Sequence, residues 1–274
     1  MDLDRYLARI GYSGPRTPSH QVLRQLHRAH MFSVPFENLS IGWDEPIYLN
    51  DVAHYWKIVE ARRGGFCYEL NGLFAWALRS LGFKVTLLSA QVYSHEKQGY
   101  GPDFSHLLLR VDLEGATIVD VGFGDNFLNP LPLRLSTVVE EGEHRAFRFV
   151  QEDGLFVLQM REGEEGQFRP RYRFSLTPRA IEDFDEMCNF HQTSPLSHFT
   201  RQRIVTLARA DGRSTLLDRR LIEAAADGSS VEQEFETDEE ADRALLEMFG
   251  IVAPRAASWQ PPLDADETED KEQS

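Results

Sequence analysis

Residues 62–74 read RRGGFCYELNGLF, and the fold hinges on this stretch. It sets Cys67, one of only two cysteines in the chain, directly after a glycine pair and at the head of an apolar run. Leu70, Leu73, Phe74, Ala77, Leu78 and Leu81 recur at helical spacing, and Gly82 closes the run. A thiol in the first turn of a helix feels the positive end of the dipole and unpaired backbone N–H groups, which favour thiolate. Gly64 and Gly65 remove bulk in front of it, leaving room for a substrate backbone or acyl group. The plainer alternative is a small apolar residue on an amphipathic helix. Partners decide between the two.

Upstream the pattern is also helical. Thr17-Pro18-Ser19 supplies a cap before Val22, Leu23, Leu26 and Met31, and Asn50 or Asp51 caps a stretch through Val52, Tyr55, Trp56 and Val59. After Gly82 the period changes. Residues 85–93, 104–111 and 117–121 are short, β-branched or aromatic, and bounded by Gly, Pro or Asp, and 147–150, 155–160 and 172–175 are further strand candidates. Thr177-Pro178 opens a helix to about Phe190, and Ile204–Leu207 and Thr215–Leu217 flank an Asp211-Gly212 turn as a hairpin. Thr237-Asp238-Glu239-Glu240 is a capping box before a last helix. The order is helices, then a β layer, then a mixed hairpin and helix.

Nucleophilic catalysis needs a base and a group to orient it. Of nine histidines, His106 alone lies in an otherwise apolar strand, within DFSHLLLR. Asp120 sits between Val119 and Val121 on the next strand, where a carboxylate is costly unless paired. A four-residue turn, Asp112 to Gly115, leaves the two one position out of direct opposition, and a bulge at Gly115 brings them face to face. A Cys67–His106–Asp120 triad is the expected constellation, with a thiolate–imidazolium pair at rest and an apparent thiol pKa below ~7.

These residues resemble the arylamine N-acetyltransferase family. RRGGFCYELNGLF, VPFENL at 34–39, FSHLLLRV around His106 and VDVGFGD at 119–125 occur in that family's order and near its spacing, to about residue 200. The His106-to-Asp120 interval is one residue shorter than the family's, which places a deletion in the hairpin turn. The resemblance implies an α+β fold with a cysteine-protease-like core. Its parts are a helical domain (1–83), a β-barrel domain (84–192) and an α/β lid (193–262); the acidic composition of 263–274 adds a disordered tail. The resemblance also implies acetyl-CoA as cosubstrate and a ping-pong reaction of xenobiotic metabolism, delivering acetyl to an arylamine, arylhydrazine or N-hydroxyarylamine. Cys67 is then the acetyl-accepting nucleophile, His106 its base and Asp120 the orienter. Phe36, Ser105 and Phe123 become substrate-binding candidates, and Gly124, Ser194 and Ser197 coenzyme-contacting ones. Phe190 and Leu196 stand in that last segment where some members carry tyrosine and a hydroxyl residue. A related cysteine-dependent amide synthase, or a transglutaminase-like hydrolase with the same triad, is the alternative activity, and a catalytically silent binding module the alternative class.

Composition narrows the partners. A formal charge of −15 argues against nucleic acid or an anionic membrane surface, since either wants a basic face. Six acids against Lys271 between Leu263 and Ser274 concentrate part of that charge in a stretch with no apolar pattern. No apolar run reaches membrane length, and the first residues lack signal-peptide order. Two cysteines make neither a disulfide framework nor a metal pattern, so no metal is expected and a reducing cytoplasm is the simplest location. The expected partners are small molecules, and the expected state a monomer or homodimer. Glu37, among apolar neighbours, wants a cation, and Arg63 is the candidate. No phosphate-cradling glycine loop is present. Cys188 reads as buried, His95 and His191 as surface or loop residues, and Trp43, Trp56, Trp76 and Trp259 as core or interface.

Overall fold

The computed structural model describes residues 1–142 and 144–254, so the acidic tail and Trp259 lie outside the described residues. The helix Cys67–Ser80 begins at the cysteine, and its residues from 67 to 75, together with Ala77 and Leu78, are all buried. It is therefore enclosed rather than one-faced. Its first turn is fixed by Glu69, whose Oε2 accepts the Phe66 N–H at 3.1 Å.

The other helices follow their caps. The Val22 N–H donates to Ser19 Oγ at 3.2 Å to open His20–Ser33, and the Ala53 N–H donates to Asn50 Oδ1 at 2.9 Å to open Asp51–Tyr55. There the expected apolar face is interrupted. Trp56–Glu60 forms a π-helical turn, which carries Ile58 and Val59 inward and leaves Trp56 65% exposed, so Trp56 is not core. A further helix, Leu3–Arg9, capped by Asp2, was not expected from periodicity. The helix expected after Thr177 starts later, as a 3₁₀ turn Ile181–Phe184 running into Asp185–Thr193.

The strands between Lys84 and Phe174 form a nine-stranded sheet. A bridge between Leu135 and Phe149 brings its ends together into a nearly closed, barrel-like form. A second, five-stranded sheet runs Phe36–Glu37, Ile204–Arg209, Gly212–Leu217, Arg220–Ala225, Ser230–Glu234, and the helix Asp238–Phe249 covers it through Leu245 and Phe249. The VPFENL segment thus supplies an edge strand to a sheet whose other strands lie beyond residue 200. Phe36 also bridges to Gly65, so two of the quoted motifs lie side by side.

The turn between the strands His106–Asp112 and Ala116–Val119 differs from expectation. Asp112 pairs with Ala116 and Leu109 with Val119, so only three residues remain in the turn. Continued past Val119, that register would set Asp120 opposite Leu108, not His106. The strand ends first, and the chain bends away at Asp120.

Candidate active site

Direct opposition is thus replaced by a side-chain bridge. His106 Nε2 lies 2.9 Å from Asp120 Oδ2, with both side chains buried. A carboxylate only accepts, so the neutral ring carries its proton on Nε2 and leaves Nδ1 with its lone pair. Three further donors hold the carboxylate: Asn71 Nδ2 at 2.9 Å and the Gly122 N–H at 3.1 Å on Oδ1, and Asn126 Nδ2 at 3.1 Å on Oδ2. Burial alone would push the Asp120 carboxyl up, but His106, Asn71 and the Gly122 N–H hold it below its ordinary value.

The same loop meets the cysteine. A Cβ on Gly122 would lie 2.8 Å from Cys67 Cα and 2.7 Å from Asn71 Nδ2, so only glycine allows this close approach. The glycines before the cysteine do a different job from the one expected. A Cβ on Gly64 would lie 2.0 Å from the Pro35 carbonyl oxygen, and one on Gly65 2.7 Å from Glu69 Oε2. They admit the chain's own VPFENL segment and helix cap. Burial pushes the Cys67 thiol up, helped by the Asp120 charge and opposed by the Leu107 and Tyr68 N–H groups. A lone thiolate is disfavoured here, contrary to what the helix terminus alone suggests.

Phe123 stands edge-to-face on His106 with centroids 5.0 Å apart, and Tyr172 lies 5.3 Å from both rings. Phe36 is buried beside Gly124, 3.5 Å from where a Cβ there would be, and 6.1 Å from Phe199. The loop from Asp120 to Gly124 thus touches the Cys67 backbone through Gly122, His106 through Asp120 and Phe123, and Phe36 through Gly124. Ser105 lies next to His106 in the chain, but its Oγ accepts the Val92 N–H at 3.1 Å and so braces the strand. Ser194 Oγ accepts the Leu196 N–H at 3.2 Å, and Ser197 is buried, its Oγ accepting the Phe199 N–H at 3.2 Å. Both hydroxyls are engaged within their own turns.

Several site residues lay outside the sequence reading. Asn71 donates to the Leu107 carbonyl at 2.7 Å as well as to Asp120, and accepts the Val121 N–H at 2.9 Å. Its signal is a polar residue one turn after Cys67 in an apolar helix. His27 packs behind Asp120: Nδ1 donates to the Leu128 carbonyl at 3.0 Å, and Nε2 accepts the Asp120 N–H at 3.4 Å. Burial lowers His27 to about 4, so it stays neutral. His191 is not a surface residue; it is half-buried, with centroids 6.1 Å from Tyr68 and 5.1 Å from Phe199. Glu37 and Arg63 pair as expected, Nε to Oε1 at 3.0 Å and Nη2 to Oε2 at 3.2 Å, with Lys57 added at 3.8 Å. Among the described residues no group of three acids, histidines or cysteines could hold a metal ion.

A family model described as N-acetyltransferase matches residues 19–257. A pineal-gland arylamine N-acetyltransferase isozyme of Gallus gallus is 37% identical, covering 92% of this chain and 94% of its own. The Nocardia farcinica arylamine N-acetyltransferase superposes with a TM-score of 0.82 at 36% identity, over 93% of this chain and 90% of that one. The Mycobacterium marinum enzyme, whose structure is a complex with CoA, gives 0.84 at 31% identity, over 91% and 93%. Fold and relatives define an acyltransferase. The chain belongs to the arylamine N-acetyltransferase family.

Proposed function

We propose that this chain transfers acetyl from acetyl-CoA to an arylamine, arylhydrazine or N-hydroxyarylamine, through an acetyl-Cys67 intermediate. The observation that carries the reading is the buried His106–Asp120 bond on a loop packed against the Cys67 backbone. Asp120 fixes His106 with Nδ1 as the base nitrogen. Proton transfer from Cys67 to His106 makes an ion pair, whose opposite charges offset much of the burial cost that a lone thiolate bears. The sulfur attacks the acetyl carbonyl, the bond to the CoA sulfur breaks, and the imidazolium proton goes to the departing thiolate. In the second half the amine nitrogen attacks the thioester, His106 takes an amine proton, and the cysteine leaves to recover it. The CoA complex of the Mycobacterium marinum relative supports acetyl-CoA as the donor.

Phe36 and Phe123 form the aromatic wall for the acceptor, with Ser105 beside it, and the Gly124, Ser194 and Ser197 segments border the donor. The two sheets support a helical domain 1–83, a barrel domain 84–192 and a lid 193–262 around one cysteine-protease-like core. Free cysteines suit the cytoplasm, and among the described residues no helix is long and apolar enough to cross a membrane. Intact mass after mixing with acetyl-CoA alone tests the reading. A gain of one acetyl group, absent in Cys67→Ala and reversed by an arylamine, is expected. Acetylated product formed only when both substrates are present, with no acetylated protein, would remove the ping-pong route.

A further inference from the structure

Two side-chain hydrogen bonds from the Cys67–Ser80 helix reach the chain around His106, one on either side of it. Asn71 Nδ2 donates to the Leu107 carbonyl at 2.7 Å, and the Tyr68 hydroxyl donates to the Phe104 carbonyl at 2.8 Å. Tyr68 directly follows the nucleophile, and Asn71 stands one turn on. Asn71 also serves Asp120, whereas the Tyr68 hydroxyl has no part in the transfer chemistry. Tyr68 is fully buried, edge-on to Phe66 with centroids 5.0 Å apart, and its ring lies 5.6 Å from that of Phe184. Burial pushes its hydroxyl well up, so it remains a donor throughout the neutral range.

The acceptor of that bond is held in a costly conformation. Phe104 has φ +61°, in the left-handed region that bulky side chains avoid. It lies in the turn that enters the strand His106–Asp112, two residues before the base. Its N–H donates to Asp103 Oδ1 at 2.9 Å, its ring stands edge-to-face on Phe184 at 5.3 Å, and the Arg179 guanidinium carbon lies 4.8 Å from its centroid. Strained backbone of this kind persists only where its surroundings over-determine it, and it clusters at functional sites. Ser105, next in the chain, does a separate job. Its Oγ accepts the Val92 N–H and donates to the Ala90 carbonyl at 3.3 Å, which fixes the strand within its own sheet rather than against the helix.

We propose that Tyr68 is a positioning residue that sets the separation of Cys67 and His106 through the strained Phe104 carbonyl. This rests on Cys67 and His106 being the nucleophile and its base. With Asn71 as the sole anchor, the chain would pivot about Leu107, and the imidazole would swing relative to the sulfur. A second anchor on the other side of His106 removes that freedom, and the left-handed turn gives the Phe104 carbonyl its direction toward the helix. Proton transfer from Cys67 needs sulfur and imidazole within hydrogen-bond reach, and a misplacement of about 1 Å can cost about 10²-fold.

Tyr68→Phe removes the donor and keeps the ring. Its melting temperature should fall by only about 2–4 °C, the effect of one net hydrogen bond. Single-turnover acetylation by acetyl-CoA should nevertheless slow about 10- to 100-fold, with little change in the acetyl-CoA concentration that gives half the maximal rate. Alkylation of Cys67 by iodoacetamide at pH ~6 should slow about 3- to 10-fold, because the sulfur hands its proton less readily to the displaced ring. Unchanged acetylation and alkylation beside the same fall in melting temperature would overturn the proposal and leave Tyr68 a packing residue. A second pair of variants tests the turn itself. Asn enters the left-handed region readily and Val does not, so Phe104→Asn should keep more of the acetylation rate than Phe104→Val, although both lose the ring. Equal losses in the two, or the reverse order, would show that the Phe104 conformation does not place the base. If wild-type Cys67 is never acetylated, the transferase reading falls and this one with it. If the wild type is acetylated and Tyr68→Phe matches it, only the positioning role falls.

Discussion

Four donors converge on the Asp120 carboxylate, from His106, Asn71, Asn126 and the Gly122 N–H, in the arrangement that keeps the His106 proton on Nε2. Asp120→Asn therefore forces an NH₂ group against existing donors and removes the acceptor that sets the His106 tautomer. Steady-state kcat should fall by about 10⁴, as in other triads, and near-normal turnover would take Asp120 out of the mechanism. The thiol gives a second expectation. Burial pushes Cys67 up, so His106→Ala should leave a thiol that iodoacetamide alkylates only above the ordinary thiol range of about 8.5. The wild type should react near pH ~6, faster than Cys188. The same slow alkaline profile in both proteins would mean that His106 does not take the proton. Glu37 adds a pH effect. Burial raises its carboxyl, but Lys57, Arg63 and the Leu39 N–H outweigh that and hold it below 4.5. Its folded value is depressed, so its stabilisation is present above pH 4.5 and is lost as pH falls through the folded value. Truncating Glu37 or Arg63 should cost about 3–5 kcal/mol, and Glu37→Gln should flatten the acid limb of a stability–pH curve.

At the scale of elements, the junction between the Cys67–Ser80 helix and the loop after Val119 governs the site. Gly122→Ala would drive a methyl to 2.8 Å from Cys67 Cα, with backbone on that side and little freedom to yield. Activity should fall by at least tenfold while the melting temperature shifts by only a few degrees, as for a ΔΔG of about 1 kcal/mol. Unchanged activity would show that the contact tolerates displacement. Much of this was legible in the sequence. Cys67, His106 and Asp120 each stand out as a polar or reactive residue in apolar company, and a buried charge demands a partner. The register was not, because a turn one residue shorter is invisible to strand periodicity, and the bend at Asp120 compensates for it through side chains. Tyr172 was hidden because an aromatic residue on a strand reads as ordinary core. The π turn at Trp56–Glu60 was hidden because periodicity assumes an unbroken helical phase.

At the scale of the whole molecule, one buried residue joins the second sheet to the helical part. Asn38 Nδ2 donates to the Phe199 and Gln202 carbonyls at 2.8 and 2.7 Å, and its Oδ1 accepts the Ile204 N–H at 2.8 Å. Just before it, Phe36 and Glu37 pair with Thr206 and Val205. The Phe36–Asn38 segment is therefore anchored to the five-stranded sheet close to where Phe36 meets Phe199. Asn38→Ala removes three hydrogen bonds and leaves buried backbone groups unpaired, about 2–4 kcal/mol of local stability. That cost should fall on the five-stranded sheet rather than on the barrel, whose strands Lys84–Ser94 and His106–Asp112 pair only within their own sheet. Hydrogen exchange in Ile204–Arg209 and Gly212–Leu217 should then quicken by about 30- to 1,000-fold, with little change in the barrel strands. If both sheets quicken equally, they open as one cooperative unit, and Asn38 is a global rather than a local clasp.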